Sequence, residues 1–308
     1  MSDRLLNDPN WPRAHDWLAG DLIGEAWTTL AVVGAPSRLG SLTPGRCDLA
    51  PDAIRSALQK FCPYDVDQLR DLRHVLVSDQ DNLPIASKSP EELYETVRDG
   101  VEQALRSHDA VVLLGGDNAI TRPGIHGLGV PLEQCGLITL DAHLDLRHLD
   151  DGLTNGNPVR ALLKDGLPAE NIAQVGIQNF ANSMVYANVA FQEGIHVLSM
   201  TQVHRNGLEA CLQAALDRMP EQVTHIYFDL DLDTLDRTFA PGTPGSRPGG
   251  IAPWQMIAAA EQMGSDPRVV AMDLVELDPE RDTGSVVAQT AAMCLLSFAS
   301  GLLGREIE

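Results

Sequence analysis

The chain has 308 residues, with 43 acidic side chains against 22 basic ones. The resulting formal charge of −21 repels phosphate backbones, so nucleic acid is not an expected partner. A hydrophobic share of 44% with 21% charged residues is that of a folded globular protein, and no apolar run approaches the ~20 residues a membrane helix needs. The stretch 1–13 is polar and contains Pro9 and Pro12, without the basic start and apolar core of a signal peptide. Cys47, Cys62, Cys135, Cys211 and Cys294 are odd in number and form no CxxC pair. That speaks against a disulfide framework or a zinc knuckle and for reduced thiols in a cytoplasmic protein.

Short β-branched apolar runs alternate with longer helical patterns. In chain order the sequence predicts a strand at 29–33, a helix at 51–60, a strand at 74–77 and a helix from Ser89 to about Ser107. That helix opens on a capping signal: Ser89, Pro90 at the first turn, and Glu92 three residues after the cap. Strands follow at 110–114 and 137–140, a helix at 158–164, a strand at 173–177 and a helix at 182–192. The pattern closes with a strand at 196–198, a helix at 208–218, a strand at 225–228, a helix at 253–263, a strand at 269–273 and a helix at 285–302. Most of these strands are apolar on both faces, as a parallel sheet covered by helices requires. The alternation predicts a doubly wound α/β sheet, with a closed eight-fold barrel as the competing architecture. No linker interrupts it, so one domain is expected over 1–308, with 1–28 as an N-terminal extension. Both architectures place ligands at the carboxyl ends of the strands.

Three strand ends carry unusual polar groups. The strand at 110–114 runs into Gly115-Gly116-Asp117-Asn118. The one at 137–140 runs into Asp141-Ala142-His143-Leu144-Asp145. The one at 225–228 runs into Asp229-Leu230-Asp231-Leu232-Asp233. Alternate positions of an extended segment share a face, so Asp141, His143 and Asp145 project two carboxylates and an imidazole into one small volume. Without a cation these groups would repel and desolvate one another. Asp231 and Asp233 repeat the spacing. Four carboxylates and one imidazole favour a hard or borderline divalent ion, Mn²⁺ above all, and their charge matches two such ions. A single such motif is as well explained by a solvated loop or a helix cap; two on separate strands are not.

Here the chain resembles a known family. Asp141-Ala-His-x-Asp145 looks like the signature of the ureohydrolases: arginases, agmatinases and formimidoylglutamases. Asp231-Leu-Asp-Thr-Leu-Asp236, continuing through Phe239-Ala-Pro-Gly-Thr243 to Pro248-Gly-Gly250, is similar to that family's second metal segment. Gly115-Gly-Asp117 resembles its first, and Asp273-Leu-Val-Glu276-Leu-Asp-Pro279 the segment carrying its substrate-binding glutamate. The resemblance implies a three-layer αβα fold with a mostly parallel eight-stranded sheet. It also implies a binuclear manganese centre, hydrolysis of a C–N bond at an amidine or guanidine carbon, and a homo-oligomer. The implied metal ligands are Asp141, His143, Asp145, Asp231 and Asp233, with Asn118 at the sixth position. Asp145 would orient or deprotonate the water and Glu276 would pair with the amidinium. Two positions depart from the family. Asn118 stands where an imidazole is usual, and its neutral carbonyl predicts a weak or empty metal position beside it. Asn155-Gly156 stands where many guanidine hydrolases carry His-Gly, which removes a proton-shuttling imidazole and leaves Asn155 a substrate-binding residue.

Three segments resemble the formimidoylglutamase branch: Asp141 to Arg147, Gly176-Ile-Gln-Asn-Phe-Ala-Asn-Ser183 and Thr154-Asn-Gly-Asn-Pro-Val159. Their expected substrate, N-formimidoyl-L-glutamate, carries two carboxylates. Arg147 lies two residues past the last ligand and is assigned to bind one, with Arg160 and Arg247 as further candidates. The simpler alternative is that Arg147 neutralises Asp150 and Asp151. A guanidine hydrolase of agmatinase or guanidinobutyrase type is the competing function, and a metal-depleted, non-catalytic family member is a third. Trp11, Trp17 and Trp27 are expected to anchor the N-terminal segment. His126, His148, His196 and His204 lack ligand spacing and are expected to be surface or core groups.

Overall fold

The computed structural model describes residues 8, 10–22 and 24–305. All eight expected strands form: β1 (Thr28–Ala35), β2 (Val75–Asn82), β3 (Ala110–Gly115), β4 (Cys135–Leu140), β5 (Ile172–Ile177), β6 (His196–Ser199), β7 (His225–Asp231) and β8 (Val269–Val275). They lie in the order β2-β1-β3-β8-β7-β4-β5-β6, and every neighbouring pair is parallel. The sheet is open, with β2 and β6 at its edges, so the barrel alternative is discarded. A two-stranded antiparallel hairpin, Tyr64–Asp65 with Arg70–Asp71, lies apart from it.

The strands are apolar on both faces because both are covered. Along β3, Ala110, Val112 and Leu114 enter one core while Val111 and Leu113 enter the other, as the two-residue period of a strand dictates. The first core takes the helices Ala50–Ala57, Leu208–Arg218, Pro253–Ser265 and Val286–Leu302. The second takes Pro90–Leu105, Thr121–His126 and Pro158–Asp165. The result is the expected three-layer αβα arrangement. Ser89 caps its helix as its sequence predicts, accepting from Glu92 N at 3.2 Å while Glu92 Oε2 accepts from Ser89 N at 2.9 Å.

Several expectations need correction. β2 continues through the polar run Ser78 to Asn82, because an edge strand is held by backbone pairing to β1 and its Asp79 is engaged by Arg55, whose Nε donates to it at 2.8 Å. The short helices Ala14–Leu18, Thr121–His126 and Met200–Asn206 have no periodic pattern long enough to read from sequence. The 20-residue helical stretch Thr283–Leu302 is long and apolar enough to cross a membrane, contrary to the sequence count. Its side chains are mostly buried against the helix Pro253–Ser265 and the sheet. Of the three tryptophans only Trp17 is a core anchor, fully buried with Nε1 donating to Val75 O at 3.3 Å. Trp11 and Trp27 are exposed, and Trp27 stacks on His74.

Three helices of the second layer are tied together by Asp165. It accepts from Arg122 Nε at 2.6 Å and Nη2 at 2.8 Å, and lies 3.0 Å from His126 Nε2; the same guanidinium lies 4.9 Å above the Tyr94 ring. Burial alone would raise this carboxyl's pKa, but His126 and Arg122 outweigh it and hold it at about 2. A depressed carboxyl contributes stability above its unfolded pKa and loses it as pH falls through the folded value. Asp165→Asn is therefore expected to cost about 2 kcal/mol at pH 7, and roughly half that at pH 3. Urea melts at the two pH values check this; an equal penalty at both would refute it.

Candidate metal centre

Four consecutive central strands, β3, β8, β7 and β4, deliver the polar groups to one place. Register pairs Leu140 with Leu230 and Asp231 with Val275, so Asp141, Asp231 and Glu276 leave the sheet at one level. Each aspartate motif then closes the same small turn. Asp141 Oδ1 accepts from His143 N at 2.7 Å, and Asp231 Oδ1 accepts from Asp233 N at 2.7 Å. This is the local geometry in which an Asp side chain bonds its own backbone two residues on, and it folds alternate residues inward. The two turns meet where Asp233 Oδ1 accepts from Ala142 N at 3.4 Å.

Asp141, His143 and Asp233 each place one donor atom within 4.8 Å of the others. His143 Nδ1 is 2.9 Å from Asp233 Oδ2 and 3.5 Å from Asp141 Oδ1. Asp145 and Asp231 line the same cavity of ≈ 370 Å³, together with His143, Asp233, Arg147, Asn155, Arg247 and Glu276. Asn118 lies beneath. Its Nδ2 donates to Asp145 Oδ2 at 2.6 Å, and its Oδ1 accepts from Thr121 Oγ1 at 2.7 Å. Two of these residues are non-glycine residues with left-handed backbones, Asp145 at φ 51° and Glu276 at φ 69°. Such conformations cost of order 1–3 kcal/mol each and persist where the surroundings impose them. Around Asp145, Arg160 donates to Leu146 O at 2.8 Å and Asn182 Oδ1 accepts from Leu144 N at 2.8 Å. Gly245 is required by contact, since a Cβ there would lie 2.1 Å from Asp233 Oδ2.

The charges are far from balanced. Asp141, Asp145, Asp231, Asp233 and Glu276 are all buried. Burial first, then Asp233, raises Asp141 to about 6. Burial and neighbouring acids raise Asp145 and Asp231 well above the carboxylate range. Glu276 rises to about 8 through burial and then Asp117. Asp233 alone goes down, because His143 beside it overrides its burial. Asp141 Oδ2 is buried with no hydrogen-bond partner among the described residues. A divalent cation answers each of these observations: it supplies the orphaned oxygen with a partner and restores the acids to their charged form. The donor set of carboxylates with one imidazole suits a hard or borderline ion, so the residues fit a metal.

The remaining sequence candidates fall as follows. Arg147 lines the cavity at its exposed rim and makes no ion pair with Asp150 or Asp151. Arg160 does not line the cavity; both its contacts go to the Leu146 carbonyl, so it is a brace for the aspartate turn and not a carboxylate receptor. Asn155 touches Glu276, its Nδ2 donating to Oε1 at 3.0 Å, while its Oδ1 accepts from Leu42 N at 3.1 Å. His148 is exposed, its Nδ1 3.7 Å from Asp150. Asn182 escaped the sequence reading as a support; it lies inside the segment 176–183 but carries no spacing signal.

Comparison with known proteins agrees with this geometry. The formimidoylglutamase of Halalkalibacterium halodurans is 32% identical over 274 residues, which cover 88% of this chain and 86% of that protein. The solved formimidoylglutamase of Bacillus subtilis superposes with a TM-score of 0.90 at 25% identity, covering 100% of this chain and 97% of the other. Trypanosoma cruzi formiminoglutamase, solved with Mn²⁺, shares the fold at a TM-score of 0.84 and 21% identity, covering 96% of this chain and 100% of the other. Residues 28–300 match the Arginase family as a whole. An acidic cluster raised on four central parallel strands, in a chain so matched along nearly its full length, places this protein in the arginase family.

Proposed function

We propose that this chain hydrolyses a linear amidine, N-formimidoyl-L-glutamate, to L-glutamate and formamide. The reading extends to a cytoplasmic homo-oligomer acting in histidine breakdown. The observation that carries it is a guanidinium, Arg147, at the rim of a cavity whose floor is anionic, with no carboxylate paired to it among the described residues. A substrate that is cationic at its reacting end and anionic at the other fits that polarity. The relatives named formimidoylglutamase support the same choice.

The proposed cofactor is Mn²⁺, two ions, held by Asp141, His143, Asp145, Asp231 and Asp233, with Asn118 beside the more weakly held one. When bound, the metal supplies Lewis acidity and lowers the pKa of water toward ~7. Asp145, fixed through Oδ2 by Asn118, orients the attacking water and takes its proton. Glu276 Oε1 is held by Asn118 N at 2.8 Å and by Asn155, which leaves Oε2 to pair with the amidinium. Asn155 therefore acts on the substrate through Glu276. Arg147 fixes the distal anionic end.

The test is a substrate panel with Mn²⁺, scoring formamide against urea release. Faster turnover of agmatine or another cationic guanidine would replace this reading by the guanidine-hydrolase one, and protein that takes up no metal would favour a non-catalytic member. Arg147→Ala is expected to raise KM about tenfold with manganese content unchanged. A buried charge pair would cost more, but Arg147 is exposed and rim charges are screened. Unchanged KM would remove Arg147 from the site.

A further inference from the structure

A second guanidinium faces the same cavity, and its surroundings are unusual. Arg247 is half-buried. Its Nη1 makes both of its side-chain hydrogen bonds, donating to Gly245 O at 2.7 Å and contacting His143 Nε2 at 2.7 Å. Among the described residues Nε and Nη2 donate to no acceptor and no carboxylate lies within ion-pair distance, although Asp231, Asp233, Asp145 and Glu276 line the same cavity. The side chain is thus anchored by one nitrogen beside the reacting centre, with the Nε/Nη2 edge left open. That edge is the fork that takes a carboxylate in a bidentate pair.

We infer that Arg247 binds the carboxylate nearer the amidine, and that Arg147 binds the farther one, so that the two arginines together select a dicarboxylate substrate. The assignment rests on the formimidoyl-amino-acid reading above. It follows from the covalent length of the substrate. From the amidine carbon the near carboxylate carbon is three bonds away, a span of at most about 3.8 Å, whereas the distal one is five bonds away, roughly 6 Å. The near carboxylate must therefore meet a cation in contact with the metal-ligand set, and Arg247 touches His143. The distal one must meet a cation farther out. Arg147 lies at the exposed rim, packed across Gly156, where a Cβ would come within 2.7 Å of Arg147 Cδ. A guanidine substrate with a cationic tail would meet two unpaired guanidiniums, which is a repulsive element against the competitor.

Two truncated substrates separate the two sites. N-formimidoyl-L-2-aminobutyrate keeps only the near carboxylate, and N-formimidoyl-4-aminobutyrate only the distal one, at the same five-bond distance. Arg247→Met is expected to raise KM about 30-fold for formimidoylglutamate and for the 2-aminobutyrate compound, leaving the 4-aminobutyrate compound within about threefold. Arg147→Met is expected to raise KM for formimidoylglutamate and the 4-aminobutyrate compound and to spare the other. Manganese content and melting temperature of each variant are measured alongside. Should Arg247→Met fail to fold or to load metal, Arg247→Lys keeps the charge without the fork and should show the same selectivity at smaller size. Equal losses on all three substrates with metal retained, or a reversed pattern, would overturn the assignment of Arg247 while leaving the proposed function standing. A wild-type protein that turns over none of the three would overturn both.

Discussion

Asp231→Ala is expected to abolish hydrolysis, by at least about a thousandfold, and to abolish manganese binding in the same step. Asp231 contributes a carboxylate to the cavity and also holds Asp233 in place by accepting its backbone N–H at 2.7 Å. The substitution thus removes one proposed ligand and frees another. Stability should respond in the opposite sense. Without metal, the Asp231 carboxyl is raised by burial, Asp233 and Asp141, so its ionised form burdens the fold at neutral pH. Its replacement by Ala should leave the chelated protein at least as stable as the chelated wild type. Adding Mn²⁺ should then raise the melting temperature of the wild type and not of the variant, because only a protein that binds the ion in its folded state is stabilised by it. Melts with and without Mn²⁺, with metal analysis of the dialysed protein, decide this. Retained metal with activity within tenfold of wild type would remove Asp231 from the ligand set.

Much of this was legible in the sequence, for identifiable reasons. The strands could be read because a sheet buried on both faces must be apolar at every position, and runs such as 110–114 satisfy that without ambiguity. The convergence of Asp141, His143 and Asp233 could be expected because a two-residue spacing repeats on two strand ends. What sequence could not give is the order of those strands. Residues 118, 141, 231 and 276 become neighbours only because β8 and β7 insert between β3 and β4. The turns that aim these side chains into the cavity were also invisible. A strand continued past Asp141 would have placed His143 by pleat alone, whereas the side chain of Asp141 bends the backbone back on itself. Positive φ at Asp145 and Glu276 leaves no trace in residue type, since neither is glycine. Arg160 and Arg247 were equal candidates by composition. Only the structure separates a guanidinium spent on the Leu146 carbonyl from one whose fork stays open to the cavity.

Glu276→Gln is expected to lower kcat about 100- to 1000-fold with manganese content unchanged. The two side chains have the same shape, so packing is preserved and the effect isolates charge. In the wild type, Oε1 accepts from Asn118 N at 2.8 Å and from Asn155 Nδ2 at 3.0 Å, which fixes the carboxylate plane. Gln can keep its carbonyl oxygen in that position. Its amide nitrogen then faces the substrate, so an N–H donor meets the N–H donors of the amidinium where a charge-assisted acceptor stood before. Losing such a bond and leaving the cation unpaired in a buried cavity removes roughly 3–4 kcal/mol of the stabilisation available as the amidine carbon becomes tetrahedral. The backbone at φ 69° adds a reason for choosing Gln over Ala: the strained turn is held partly by these two donors to Oε1, and truncation would confound geometry with charge. Asn155→Ala gives the matching control. It removes one donor and leaves the charge, so its loss in kcat should be the smaller of the two. Equal losses from both variants would mean that Glu276 is important for its placement of the loop at Asn155, and not for its contact with substrate.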